Sequence, residues 1–346
     1  MTDFALVIFE IGENSKKPES LVPGLLFMSG IFKNSLCARL FLLFGSKYVK
    51  AGIKSVVLNE DTNAWIIKLP FTIGRLPCFN SSAIKGFISR FRLGKEIAGC
   101  FMPAVAVVDA AYEEFRIRHD AGQIIYKAHL LHMLHDIFES NDIRLGALDT
   151  VIVAGRDRQE LLHIVRRLEP HFKYITVAAL KNGDLEAELA AISDESGLTI
   201  NICNEWKSVL KNADLIINLA GASALSKFRM HSRSLVINFN SEASSRMQGE
   251  NAAINGIEFS LSSDIFASLG TEVLSHFSKK ELTEVLTELR IGRYSGQMPD
   301  NVCCARVLEE FEKCGCKIIG YIGRRGIIKA ENIIKSVRGQ GMAGLG

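Results

Sequence analysis

The sequence predicts an α/β protein built on a Rossmann-like, doubly wound parallel sheet, with an N-terminal α/β domain and C-terminal helices around it. Two observations carry the prediction. Short, continuous apolar runs end at glycine or at polar residues, as expected of strands buried on both faces. Amphipathic stretches of helical length separate them, and the rhythm repeats five times between about residues 148 and 260, the pattern of right-handed crossovers in a parallel sheet.

The elements of that region follow in order. Residues 150–154 (Thr-Val-Ile-Val-Ala) form the first strand, bounded by Gly155, and residues 158–168 an amphipathic helix stopped by Pro170. Residues 174–180 are the second strand, and residues 184–196 the second helix, ending at Gly197. Residues 198–203 are the third strand and 205–212 a short helix. Residues 214–220 (Asp-Leu-Ile-Ile-Asn-Leu-Ala) are the fourth, ending at Gly221, and residues 233–240 the fifth. Upstream, residues 4–9, 54–58 and 64–69 read as strands, an apolar helical stretch follows the break at Pro23 and Gly24 and reaches Phe44, and residues 123–138 read as a helix. Downstream come a strand at 258–261, helices near 279–289 and 302–313, a strand at 317–321 and a helix near 330–337.

At 346 residues the chain exceeds the size at which one core keeps growing. The expected division is a substrate-side domain over 1–147, an NAD(P)-binding-type domain over 148–260, and a segment over 261–346 that packs back on the cleft. Net charge is +3 with no long block of like charges, so neither nucleic acid nor a membrane surface is the expected partner. The basic patch Arg324, Arg325 and Lys329 is short. Lys33, Asn34 and Arg39 interrupt the most apolar stretch, so no membrane span is expected. No basic n-region with a hydrophobic segment opens the chain, so no secretory signal is expected. None of the eight cysteines forms a C-x-x-C pair, which suits reduced thiols in the cytoplasm.

In an open α/β sheet the first strand is expected to lead into G-x-G-x-x-G, whose glycines let the backbone approach a pyrophosphate at a helix N-terminus. Here the stretch reads Ala154-Gly155-Arg156-Asp157-Arg158-Gln159-Glu160. One glycine survives, and Asp157 and Glu160 place carboxylates where a pyrophosphate wants positive dipole ends; Arg156 or Arg158 offsets them in part. The second strand ends Ala178-Ala179-Leu180-Lys181, without the acidic residue that holds a ribose, although Lys181 suits a 2′-phosphate. Ala220 and Gly221 would line the cleft at the fourth strand end, or simply make a tight turn there.

Three segments resemble the long-chain acyl-acyl-carrier-protein reductases, which form fatty aldehydes. They are Gly94-Lys95-Glu96-Ile97-Ala98-Gly99-Cys100-Phe101-Met102-Pro103; then Ser295-Gly296-Gln297-Met298 with Cys303-Cys304-Ala305 and Leu308-Glu309-Glu310-Phe311-Glu312; and the tail from Gly323-Arg324-Arg325 to Ile333. The resemblance implies acyl transfer from a carrier to a cysteine thiolate, then hydride reduction by NADPH. It implies Cys303 as nucleophile, or Cys304 one position on, with Cys100 on the substrate side. The same resemblance exposes departures: the glycine loop is replaced by Arg156-Asp157-Arg158-Gln159, the basic residues after the second strand by Ala179-Leu180, and the stretch from Pro103 to Val151 is shorter than in the family.

Other constellations are weaker. Spacing puts His129, His132 and Asp136 on one helix face, two imidazoles and a carboxylate without an H-E-x-x-H motif, so no metal is expected. Cys314-Gly315-Cys316 has no second pair and reads as a turn. Two functions stay open: an NADPH-dependent acyl-thioester reductase with a cleft between the Rossmann domain and residues 1–147, and a non-catalytic descendant that binds a small ligand or a protein partner.

Overall fold

The computed structural model describes residues 2–9, 53–59, 62–69, 97–103, 115–116, 121–179, 183–220, 222–225, 227–228, 230–231, 233–239, 252–294, 301–324 and 326–339. The chain divides into two compact units, Met1–His119 with Leu261–Leu289, and Asp120–Ser260 with Arg290–Gly346. The apolar stretch expected at 21–44 lies outside the described residues. The division cuts the sequence differently from the three consecutive segments expected of it, because residues 121–139 pack with the parallel sheet and residues 261–289 with the first strands.

The first unit opens with β1 (Thr2–Phe9), β2 (Ile53–Asn59), β3 (Thr62–Leu69) and β4 (Ile97–Phe101), in the order β2-β3-β1-β4. β1 runs parallel to both β3 and β4, and β2 closes one edge antiparallel to β3. The central strand is buried from Phe4 to Ile8, which explains its run of apolar residues without polar alternation.

The second unit starts with α1 (Ala121–Ala128) and α2 (Leu130–Glu139), where one continuous helix was expected. They part at His129, whose backbone N–H and ring Nδ1 both meet the Ile125 carbonyl, at 3.0 and 2.9 Å. Then come β5 (Thr150–Val153), α3 (Arg158–Leu168), β6 (Tyr174–Ala178), α4 (Gly183–Ser196), β7 (Thr199–Cys203), α5 (Trp206–Asn212), β8 (Leu215–Asn218), α6 (Ala222–Leu225), β9 (Leu235–Asn238), β10 (Ala252–Ile254) and β11 (Ile257–Leu261).

Six of these strands form one sheet in the order β10-β9-β8-β5-β6-β7, with every neighbouring pair parallel. Counted from β5, this is the Rossmann order 3-2-1-4-5-6 read from the far edge. The doubly wound sheet expected from the sequence is therefore present, with β10 as a sixth strand beyond the five expected. Val151, Val153, Ala178, Ile216 and Val236 cover one face with Leu210 and Leu225 from α5 and α6. Arg167, near the end of α3, donates to the carbonyls of Lys127 (2.7 Å) and Ala128 (2.8 Å), so a cation closes the C-terminus of α1.

The chain continues with α7 (Ser263–Leu274), which the sequence reading missed, and α8 (Lys279–Ile291). Both belong to the first unit up to Leu289, where Lys68 Nζ meets Glu272 at 2.8 Å. Back in the second unit are α9 (Asn301–Lys313), β12 (Cys316–Gly323), β13 (Gly326–Ile328) and α10 (Ala330–Gly339). β12 lies between β11 and β13 in a three-stranded sheet. Among the described residues no helix is long and apolar enough to cross a membrane.

Candidate functional site at the strand-order reversal

Strand order reverses between β5 and β8, and in such sheets ligands bind in the crevice beyond the carboxyl ends of the strands at that point. The two strand ends are drawn together there. The Leu219 N–H donates to the Val153 carbonyl (3.0 Å), while on the other side of β5 the Ala154 N–H donates to the Ala178 carbonyl at the end of β6 (3.0 Å). Gly155 follows, and a Cβ at this position would stand 2.6 Å from the Leu219 carbonyl oxygen. The surviving glycine of the loop is thus required by the approach of the fourth strand's own backbone.

The next residues organise the start of α3. Asp157 is its N-cap, and its Oδ1 accepts the N–H groups of Gln159 (3.0 Å) and Glu160 (3.2 Å). Arg158 turns away to α4, with Nε 2.7 Å from Glu188 and a guanidinium nitrogen 3.7 Å from Asp184. Glu160 is ion-paired with Lys127. Arg156 is exposed. A dinucleotide pyrophosphate does not fit this helix end: a carboxylate holds the donors that the phosphate would need, and the neighbouring cation Arg158 is spent on acidic partners. Lys181 and Gly221 lie outside the described residues.

At the carboxyl ends of β8, β9 and β10 stands a ladder of amides. The half-buried Ala220 donates its N–H to Asn218 Oδ1 at 3.2 Å. Asn218 Nδ2 donates to Asn238 Oδ1 at 2.8 Å, and Asn238 Nδ2 to Asn255 Oδ1 at 2.8 Å. Asn218 and Asn238 are buried, and Asn255 Nδ2 is buried with no hydrogen-bond partner among the described residues. The register explains the alignment: Ile217 pairs with Ile237 and Ile237 with Ile254, so the asparagine that follows each isoleucine falls in one row.

The thiols lie elsewhere. Cys303 and Cys304 are buried on α9, and Cys100 is half-buried on β4 in the first unit. Cys304 lines a cavity of about 270 Å³ with Arg166, Arg167, His132 and His171. This cavity is at the C-terminal end of α3, whereas Ala154, Gly155 and Asp157 precede its N-terminus; the helix has 11 residues, roughly 16 Å at its usual rise. The structure therefore brings Ala154, Gly155, Arg156 and Ala220 together, and does not bring Cys304 to them. Burial lowers the Arg167 guanidinium from its ordinary range, and Coulombic attraction to an ionised Cys304 would work in the opposite direction.

His129, His132 and Asp136 do not converge on a common point. The Asp136 carboxylate accepts the Tyr321 hydroxyl at 2.5 Å, and the buried His129 ring packs on Phe311 with centroids 4.7 Å apart. Burial lowers His129 to about 4, partly countered by its bond to the Ile125 carbonyl. Among the described residues no group of three or more metal-ligating side chains is placed to hold an ion. Cys314 and Cys316 do meet in a turn, with Gly315 at φ 66°; a hydrogen bond between the two thiols, together with burial, pushes Cys316 up.

No protein-family model matches the chain, and no curated protein matches it. Solved structures do. The chain is similar to a Granulicella formate dehydrogenase, at 15% identity over 56% of each chain with a TM-score of 0.25. It is similar to the L-tryptophan dehydrogenase of Nostoc punctiforme, at 10% identity over 90% of this chain and 88% of that one, TM-score 0.26. It is also similar to the anabolic ornithine carbamoyltransferase of Campylobacter jejuni, at 10% identity over 90% and 88%, TM-score 0.28. The chain thus spans little more than half the length of the formate dehydrogenase. At such scores the likeness says nothing of activity, and the fold rests on the strand order above.

Sequence reasoning missed the asparagine ladder. Its signal is present in the sequence: Ile217-Asn218, Ile237-Asn238 and Ile254-Asn255 repeat at three strand ends. The third was invisible because β10 was not recognised as a strand.

Proposed function

We propose that the protein binds a small, phosphate-free ligand in the crevice beyond β5 and β8, on a Rossmann scaffold whose dinucleotide site is closed. The observation that supports this is the Asp157 carboxylate, which accepts the Gln159 and Glu160 N–H groups where a pyrophosphate would sit. A second anion there would face the carboxylate at contact distance, and the dipole of one helix end does not offset that. The cysteines among the described residues form no disulfide with one another, which suits a reducing cytoplasm. The test is titration calorimetry of the folded protein with NADPH and with NADH. The reading expects no heat from either; micromolar binding of either would overturn it.

A second reading, an NADPH-dependent acyl-thioester reductase, is favoured by one observation. Cys304 shares a cavity with the Arg167 guanidinium, which would stabilise negative charge developing on its sulfur. In this reading Cys304 or Cys303 takes the acyl group from a carrier, Cys100 lies on the substrate side, and Arg156, Lys181, Ala154, Gly155, Ala220 and Gly221 receive the cofactor. It requires the loop before α3 to rearrange. NADPH oxidation in the presence of long-chain acyl thioesters, lost in Cys303→Ser or Cys304→Ser, is the result it predicts.

A further inference from the structure

Arg167 is a buried cation with no carboxylate beside it among the described residues. The residue is 6% exposed, and charges at such depth are ordinarily paired. It spends one N–H of each terminal nitrogen on the carbonyls of Lys127 and Ala128. Those carbonyls end α1, and a helix end supplies roughly half a negative charge. The Nε–H and the second N–H of each terminal nitrogen remain, a planar fork of donors without an anion. Arg166, next in the chain, is exposed and already reaches Glu195 at 3.4 Å.

Arg167 faces the cavity of about 270 Å³ at the C-terminal end of α3, which lies wholly within the second unit. With Cys304 and Ala128, both buried, it makes the floor. Exposed Arg166, Pro170 and Ala305 stand at the mouth, so the floor is reached from solvent. The half-buried Leu131 of α2 and Leu308 of α9 supply apolar walls. No Asp or Glu lines the cavity among the described residues. Burial first, then the nearby His135, pushes His171 at its edge below the ordinary histidine value, with Glu139 working the other way. The permanent charge on the floor is therefore that of Arg167.

We infer that this cavity binds a small monocarboxylate, with its carboxylate on Arg167 and its hydrocarbon part between Leu131 and Leu308. The charges decide the class. One uncompensated guanidinium takes one negative charge, and its fork matches a carboxylate in two parallel bonds. A phosphate dianion would bring a second charge and a third oxygen against apolar walls that offer them no donor. The site lies at the opposite end of α3 from the crevice beyond β5 and β8, and Cys304 serves in it only as part of the floor. It stands whether or not a dinucleotide binds.

The probe is butyrate, with butyramide as its uncharged counterpart and inorganic phosphate as competitor. Each is titrated into the full-length protein, and bound butyrate is followed by saturation-transfer NMR. Butyrate is expected to bind about tenfold more tightly than butyramide, the difference that one charge-assisted contact makes. Arg167→Gln should abolish that preference. Because this change also removes the bonds that close α1, Ala305→Phe is the second arm. At an exposed helix position it leaves Arg167 in place and obstructs the mouth, and butyrate should bind about tenfold more weakly or not at all. Equal affinity for butyrate and butyramide, or no binding of butyrate in the wild type, would overturn the inference. So would unchanged binding in Ala305→Phe, or displacement of butyrate by phosphate at a lower concentration than its own.

Discussion

The carbonyl oxygen of Leu219 lies 2.6 Å from the point that a Cβ on residue 155 would occupy. The obstacle is backbone, and it is held in place by the Leu219 N–H bond to the Val153 carbonyl, so no side chain can swing aside to make room. Gly155→Ala is expected to force β5 and β8 apart at their carboxyl ends, at a cost of about 1–3 kcal/mol. Urea unfolding should show a lower midpoint with an unchanged slope. A variant as stable as the wild type would mean that the glycine is kept for the ligand instead.

Asp157 has two roles that separate by substitution. As the cap of α3 it satisfies two N–H groups, so Asp157→Ala should cost about 1 kcal/mol and Asp157→Asn little, because asparagine caps as well as aspartate. In the function proposed above it also occupies the anion position and keeps phosphate out. Asp157→Ala is therefore expected to bind inorganic pyrophosphate more tightly than the wild type in titration calorimetry, despite being less stable. Equal affinity in the two proteins would show that the carboxylate does not block the site.

The parallel sheet was legible because β5, β6, β8 and β9 are buried along almost their whole length, which leaves continuous apolar runs such as Thr150 to Val153. The Asp157 cap was half legible: the sequence places a carboxylate there, but only the backbone shows that it turns onto its own helix. Gly155 misled, since a glycine after the first strand reads as a phosphate-loop residue while its reason is the Leu219 carbonyl from a strand more than sixty residues on. The ladder depends on register between strands, which no local pattern fixes. β10 has only three residues, Ala252–Ile254, too few to show a period.

Tyr321 on β12 and Asp136 on α2 tie the two elements by a 2.5 Å hydrogen bond. A charged acceptor makes such a bond worth about 1.5–3 kcal/mol, and Tyr321→Phe is expected to lose an amount of that order in chemical unfolding. Burial first, then the bond to Asp136, pushes the phenol far above its ordinary range. In the native protein, absorbance at 295 nm up to pH 11 should therefore be the same with and without Tyr321. A smaller change in Tyr321→Phe would mean that this phenol ionises and the bond is not held in solution.

His129 makes stability depend on pH in the acid range. Its folded value is lowered from 6.5 to about 4, chiefly by burial, and the residue is 6% exposed. For a base this means that the native state holds fewer protons than the unfolded chain between these values. Stability therefore rises with pH across the window. The neutral ring contributes fully above about pH 6.5, the contribution is lost as pH falls towards 4, and it does not change further below that. One unit is about 1.4 kcal/mol, so the whole window is worth at most about 3.5 kcal/mol. Carboxylates titrate over the same range, so the comparison must be between variants. His129→Asn keeps a donor for the Ile125 carbonyl and removes the titration; its destabilisation relative to the wild type at pH 7 should shrink, unit by unit, as unfolding is measured at pH 6, 5 and 4. A gap that stays constant across those three values would show that His129 takes up its proton in the folded protein as readily as in the unfolded one.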